Sequence, residues 1–98
     1  MKIVGNYTGA GSNVAINFPA GFGAWWVQFI ATGTGTVQLG DSTVTSSTGL
    51  PLAAGGGMFT TPVAGQPNLY HSGEFYAYIP SGASLAVAIK EAQLPGQY

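Results

Sequence analysis

His71 and Glu74 stand three residues apart, and a histidine beside a carboxylate is a common pair for general acid–base work. They fall on what reads as a loop, between Pro67 and a strand that starts at Glu74. Nothing else in the chain completes a catalytic constellation around them, so a solvated pair, or one bonded to backbone, is the plainer reading. Metal binding would draw on the same small stock. Asp41, Glu74, Glu91 and His71 are scattered singly rather than clustered at ligand spacing, and no run of carboxylates forms a Ca²⁺ loop.

The stretch Gly33-Thr34-Gly35-Thr36 through Gly40 has the glycines of a phosphate-cradling loop, but it has no lysine and no helix after it. A hairpin turn is expected there instead. Serine and threonine are plentiful, yet a nucleophilic serine needs an activating base. One histidine and no Gly-x-Ser-x-Gly elbow do not supply it. The chain is read as not an enzyme, with no catalytic residue, cofactor or metal expected.

Aromatic side chains are the remaining candidates. Trp25, Trp26, Tyr70, Tyr76 and Tyr78 could form a platform that stacks on sugar rings. Adjacent Trp25 and Trp26 are expected on opposite faces of one strand, and Tyr76 and Tyr78 on one face opposite Phe75, Ala77 and Ile79. Protein interfaces favour Tyr and Trp, so contact with a protein partner is preferred to a glycan. The expected interface residues are Trp26, Phe59, Tyr70, Tyr76 and Tyr78.

Composition narrows the partner class. Only Lys2, Asp41, Glu74, Lys90 and Glu91 carry charge, 5% of the chain, against about 25% in an average soluble domain. Two basic residues cannot build the phosphate-neutralising stripe of a nucleic-acid binder or a polybasic membrane contact. Neither nucleic acid nor membrane is expected as a partner. A net charge of −1 also gives free copies little mutual repulsion. Strand edges are usually guarded by lysine, and two lysines suggest that protein partners cover them instead. There are no cysteines, so neither disulfides nor thiolates contribute. After Met1-Lys2 the apolar run is only Ile3-Val4, and no stretch approaches the roughly 18 residues that span a bilayer. A chain made in the cytosol, and soluble unless another machine exports it, is expected.

The elements that would position these residues follow period-two alternation. Strands are predicted at Lys2–Tyr7, Asn13–Phe18 (broken by Pro19 and Gly21), Ala24–Thr32, Thr36–Leu39, Thr43–Thr45, Met58–Thr60, Glu74–Ile79 and Ser84–Ile89. In Ala24–Thr32, Trp25, Val27, Phe29 and Ala31 share one face, and Trp26, Gln28 and Ile30 the other. Both are largely apolar, which predicts a central strand, with Thr36–Leu39 as its hairpin partner. Pro51, Pro62 and Pro67 exclude a long central strand in the irregular middle. Ala and Leu would allow a helix over Ser84–Glu91, but Leu85, Val87 and Ile89 alternate with Ser84, Ala86 and Ala88. The fold expected is all-β: an antiparallel β-sandwich, jelly-roll-like, of seven to eight short strands. One domain is expected over 1–91, with a tail over 92–98 outside the core and available to a neighbour.

The segment Val37-Gln38-Leu39-Gly40-Asp41-Ser42-Thr43-Val44, followed by Gly49-Leu50-Pro51-Leu52, resembles a recurrent pattern in small tailed-phage virion proteins. These pair a V-x-(V/L)-G-D-S-x-V strand and turn with a G-(I/L)-P-L step. A glycine-rich stretch and a Phe or Pro often follow, here Gly55-Gly56-Gly57-Met58-Phe59 and Pro62. The late strands Glu74–Ile79 and Ser84–Ile89 extend the resemblance to residues 24–90. It implies a capsid cement or decoration protein, located in the virion, partnered by the major capsid protein and by itself as a trimer where capsomers meet. The rival readings are a tail, neck or fibre component, which would assemble with tail proteins, and a carbohydrate-binding module.

Overall fold

Alternation sorts the side chains into inward and outward sets before any strand finds its partner, and the pairing then follows from which sets can be buried together. The computed structural model describes residues 2–17, 23–64 and 69–92, and among them there is no helix. Eight strands form: β1 (Lys2–Thr8), β2 (Ser12–Ala15), β3 (Gly23–Gly33), β4 (Thr36–Gly40), β5 (Leu50–Ala53), β6 (Met58–Thr60), β7 (Tyr76–Ile79) and β8 (Ala83–Ala92). They make two four-stranded antiparallel sheets, β1-β8-β3-β6 and β2-β7-β4-β5. The pairs β1–β8, β2–β7, β3–β6 and β4–β5 are those of one long hairpin whose tip is β4–β5. Pairing of β3 with β8 and of β4 with β7 closes that hairpin into the two sheets.

The sheets face each other as a β-sandwich, as the alternation predicts. Val27, Phe29 and Ala31 of β3 and Leu85, Val87 and Ile89 of β8 fill the core from one side. Val37, Leu39, Leu52, Ala77 and Ile79 fill it from the other, with Ile16 just past β2. Each large side chain so buried is worth about 1.5–3 kcal/mol. Summed over the core, burial therefore outweighs any polar contact a chain with five charges can make.

The strand expected over Asn13–Phe18 forms as Ser12–Ala15, leaving Ile16 and Asn17 outside it, and pairing departs from the local reading in four further places. First, β3 and β4 are not a hairpin, because they lie in different sheets. Both edges of β3 are taken by β8 and β6, so Gly33-Thr34-Gly35 carries the chain across the end of the sandwich. Second, a β-bulge between Ala24 and Trp26 breaks the alternation. Ala24 and Val27 are both fully buried and three apart. Trp25 and Trp26 between them are each half-buried, and neither belongs to the core cluster that Val27 joins. Third, Thr43–Thr45 is not a strand. The Asp41 carboxylate accepts the Thr43 N–H at 2.9 Å and the Thr43 hydroxyl, and the Val44 N–H donates to Asp41 O. These local bonds compete with a ladder and win, and the edge strand forms at Leu50–Ala53. Fourth, β7 begins at Tyr76, because Glu74 is held in a turn. Ala92 belongs to β8 rather than to a tail. Phe18, Pro19, Gly21, Pro67 and the rest of the expected tail lie outside the described residues.

Pro62 ends β6 by removing a ladder donor, and Thr61 supplies the last rung instead. Its N–H donates to Val27 O at 2.9 Å, and its buried Oγ1 accepts the Val27 N–H at 2.9 Å. Thr61→Val keeps the shape but leaves that buried donor unpaired, at an expected cost of about 1–3 kcal/mol. Urea denaturation with an unchanged m-value is the check. A loss below about 0.5 kcal/mol, no more than a surface substitution causes, would mean that water reaches the Val27 N–H.

Candidate functional site

The Asp41 turn throws the following loop, residues 41–49, back over the outer surface of the second sheet. Val44 is buried there, apart from the main core, against Gly40 and Gly49. A methyl group at Gly49 would meet Leu39 O and Val44 Cγ2 at 2.8 Å each, and φ there is +143°, so only glycine fits. Asn13 Nδ2 on β2 donates to Ser42 O and Val44 O at 3.3 Å, tying the loop to the far edge of the same sheet. The hydroxyl of Thr43, then backbone N–H donation from Thr43, hold the Asp41 carboxyl below the usual aspartate range, so it is charged at neutral pH. Gln38, on the outward row of β4 between Tyr78 and Pro51 in register, is buried as well. The second sheet is thus covered by its own chain.

No described segment covers the first sheet in this way. Its outward row on β3 is Gln28, Ile30 and Thr32. Their register partners are Ala88, Ala86 and Ser84 on β8, and Thr60 and Met58 on β6; Ile3 on β1 pairs with Ala88. Ile3 is 62% exposed and Met58 58%. Ile3, Gln28, Ile30, Ala86 and Ala88 border a shallow groove of about 140 Å³. The Gln28 amide donates to Met58 Sδ and Thr60 Oγ1 at 3.3 Å, fixing the floor of the β6 side. Lys90, the register partner of Trp26, stands at one end of this surface. The bulge at Trp25 and Trp26 leaves both indoles half-buried beside it.

The five expected interface aromatics therefore do not form one platform. Trp26 borders the first sheet's outer surface, while Tyr76 and Tyr78 stand half-buried on the second sheet, with Tyr76 paired to Gly40. Phe59 lies inward on β6, stacked on Phe29 with ring centroids 6.5 Å apart. Tyr70 packs against Phe75 at 5.6 Å, and its hydroxyl donates to Pro62 O at 2.9 Å. Alternation did not single out Ile3, Ile30 and Met58. The signal was present in the two apolar faces of Ala24–Thr32, which also fit a strand covered on both sides.

His71 and Glu74 meet through backbone: Glu74 Oε1 accepts the His71 N–H at 2.8 Å, and the Glu74 N–H donates to His71 O. This closes a turn and does not pair the imidazole with the carboxylate. Among the described residues no three of His, Asp and Glu gather as a metal site, and no helix is long and apolar enough to cross a membrane. No protein-family model, no curated protein and no solved structure matches the chain.

Proposed function

We propose that this chain is a structural protein of a tailed-phage virion, a capsid cement or decoration protein that self-associates and bridges subunits of the shell. The observation that carries the reading is the contrast between the two outer surfaces. One sheet is capped by the chain's own loop, and the other presents Ile3, Ile30, Met58 and Ala86 with Lys90 at its end. Depleted charge and bordering aromatics are what the centre of a protein interface requires. Such contacts are individually modest and gain strength when summed over many linked copies.

The strand order supports the jelly-roll part of the reading. Eight strands paired as in a single long hairpin and ordered β1-β8-β3-β6 over β2-β7-β4-β5 match the order expected of such a roll, an arrangement that viral capsid proteins use. Lectins use it too, so the argument for assembly rests on the surface and on the Gly40-Asp41-Ser42 and Gly49-Leu50-Pro51-Leu52 resemblance.

Light scattering across a concentration series, followed by co-sedimentation with undecorated shells, tests the proposal. A trimer that binds shells is expected. The double substitution Ile3→Glu, Met58→Glu alters exposed positions, so melting should hold. Burying an unpaired carboxylate in the contact should cost about 3 kcal/mol or more, roughly a hundredfold in affinity. A chain that stays monomeric and ignores shells, or a double variant that assembles as well as the parent, sinks the reading.

A further inference from the structure

At the end of the sandwich where β4 gives way to the Asp41 turn, the two sheets part to leave a cleft of about 290 Å³. That is close to the lower end of the range for small-ligand pockets. Its apolar wall is aromatic: Phe29 and Phe59 come from the first sheet, and Phe75 precedes β7. Phe29 and Phe75 meet edge to face at 5.4 Å. Leu39 and Leu50 complete the wall from the second sheet. Asp41 and Glu74 stand at the same cleft, so two of the chain's three side-chain carboxylates line one apolar cavity, and among the described residues no lysine or histidine lines it.

Neither carboxylate is loose. Asp41 Oδ1 is fixed by the Thr43 N–H and hydroxyl, and Glu74 Oε1 by the His71 N–H. Both side chains are exposed. Carboxylates held by one oxygen beside aromatic rings suit a ligand with a positive head and an apolar body. The carboxylates pair the charge, and the rings attract a cation as well as apolar surface.

We infer that this cleft binds a small organic cation, an ammonium or guanidinium on an apolar stem. The stem lies against the half-buried rings of Phe59 and Phe75, with the fully buried Phe29 behind them, and the head lies between Asp41 and Glu74. The site is independent of the assembly surface, which is on the outer side of the first sheet. It also gives Asp41 and Glu74, which complete no catalytic or metal constellation, a shared role.

Chemical-shift titration of the labelled chain with benzylammonium, and with benzyl alcohol as its neutral counterpart, tests this at low salt. The cation should bind about tenfold more tightly than the alcohol, the sum expected from a partly exposed ion pair and a cation–π contact. It should move the amides of Asp41–Thr43, Glu74 and Phe75, and weaken as salt rises. Asp41→Asn and Glu74→Gln each keep the fixed acceptor oxygen, so both turns and the melting temperature should survive. Each should lower affinity for the cation about threefold and leave the alcohol unaffected. Equal affinity for cation and alcohol, or a double variant that still prefers the cation, overturns the inference. If a variant melts early, the salt dependence of the unaltered chain decides alone. A lysine-bearing peptide that binds far more tightly than benzylammonium would reassign the cleft to a partner's side chain and overturn the small-ligand assignment.

Discussion

Gly33→Ala is expected to destabilise the chain by about 3 kcal/mol, a large part of the 5–15 kcal/mol typical of a whole domain. Two costs add. Gly33 has φ +90°, which an L side chain adopts only with strain of about 1–3 kcal/mol. Its added methyl would also stand 2.2 Å from Gly82 O, the acceptor of the Thr34 N–H at 3.0 Å. The crossing from β3 to β4 therefore rests directly on the crossing from β7 to β8, backbone on backbone, and neither can give without breaking that bond. Gly73→Ala separates the two costs. Gly73 also has positive φ (+79°), but nothing stands within 4 Å of its added carbon, so only the conformational term applies. In urea, both midpoints should fall with unchanged m-values, Gly33→Ala by clearly more. Equal losses would show that the two crossings move apart freely and that the close approach constrains nothing.

That contact also marks where the sequence stops being legible. Strand identity is local. Leu85, Val87 and Ile89 alternate with smaller residues, and β8 forms where alternation places it, against a helical alternative that Ala and Leu allow. Sheet membership is not local. Gly33-Thr34-Gly35 reads equally well as a hairpin or as a crossing, and the choice is made by β8, which arrives from the end of the chain and occupies the edge that β4 would need. The bulge at Trp25 is hidden for the same reason. Two adjacent tryptophans look like one inward and one outward residue until Ala24 and Val27 are both seen buried.

The site was legible only in pieces. The Asp41 turn could be read directly, because a carboxylate bonding backbone two residues on is a property of the local chain. That Val44 plugs the outer surface of the second sheet could not be read, since its partners are the bare positions at Gly40 and Gly49, which offer no side chain to suggest a contact. Asp41 and Glu74 look like isolated charges in sequence. They share one cleft because β4 and β7 are neighbours in the second sheet, which brings the end of one strand beside the start of the other.

Phe29→Ala should be among the most damaging single truncations in the chain, at about 4 kcal/mol. Phe29 is fully buried and sits at the middle of the first sheet, with Val87 of β8 opposite it on one side and Phe59 of β6 on the other. Its ring also reaches Phe75 at 5.4 Å. Removing it forfeits the transfer energy of the ring, leaves a void, and strips two aromatic neighbours of a contact worth about 0.5–1.5 kcal/mol each. Phe59 is the informative comparison, because it is half-buried on an edge strand of three residues, so its truncation should cost about half as much. Urea midpoints for the two variants, read beside their affinity for shells, separate support of the fold from partner contact. If Phe59→Ala costs as much stability as Phe29→Ala, β6 is an integral wall of the core and its aromatic ring is committed to the fold. If it costs little stability but weakens assembly, Phe59 contacts a partner, and the interface extends from the outer surface of the first sheet around its β6 edge.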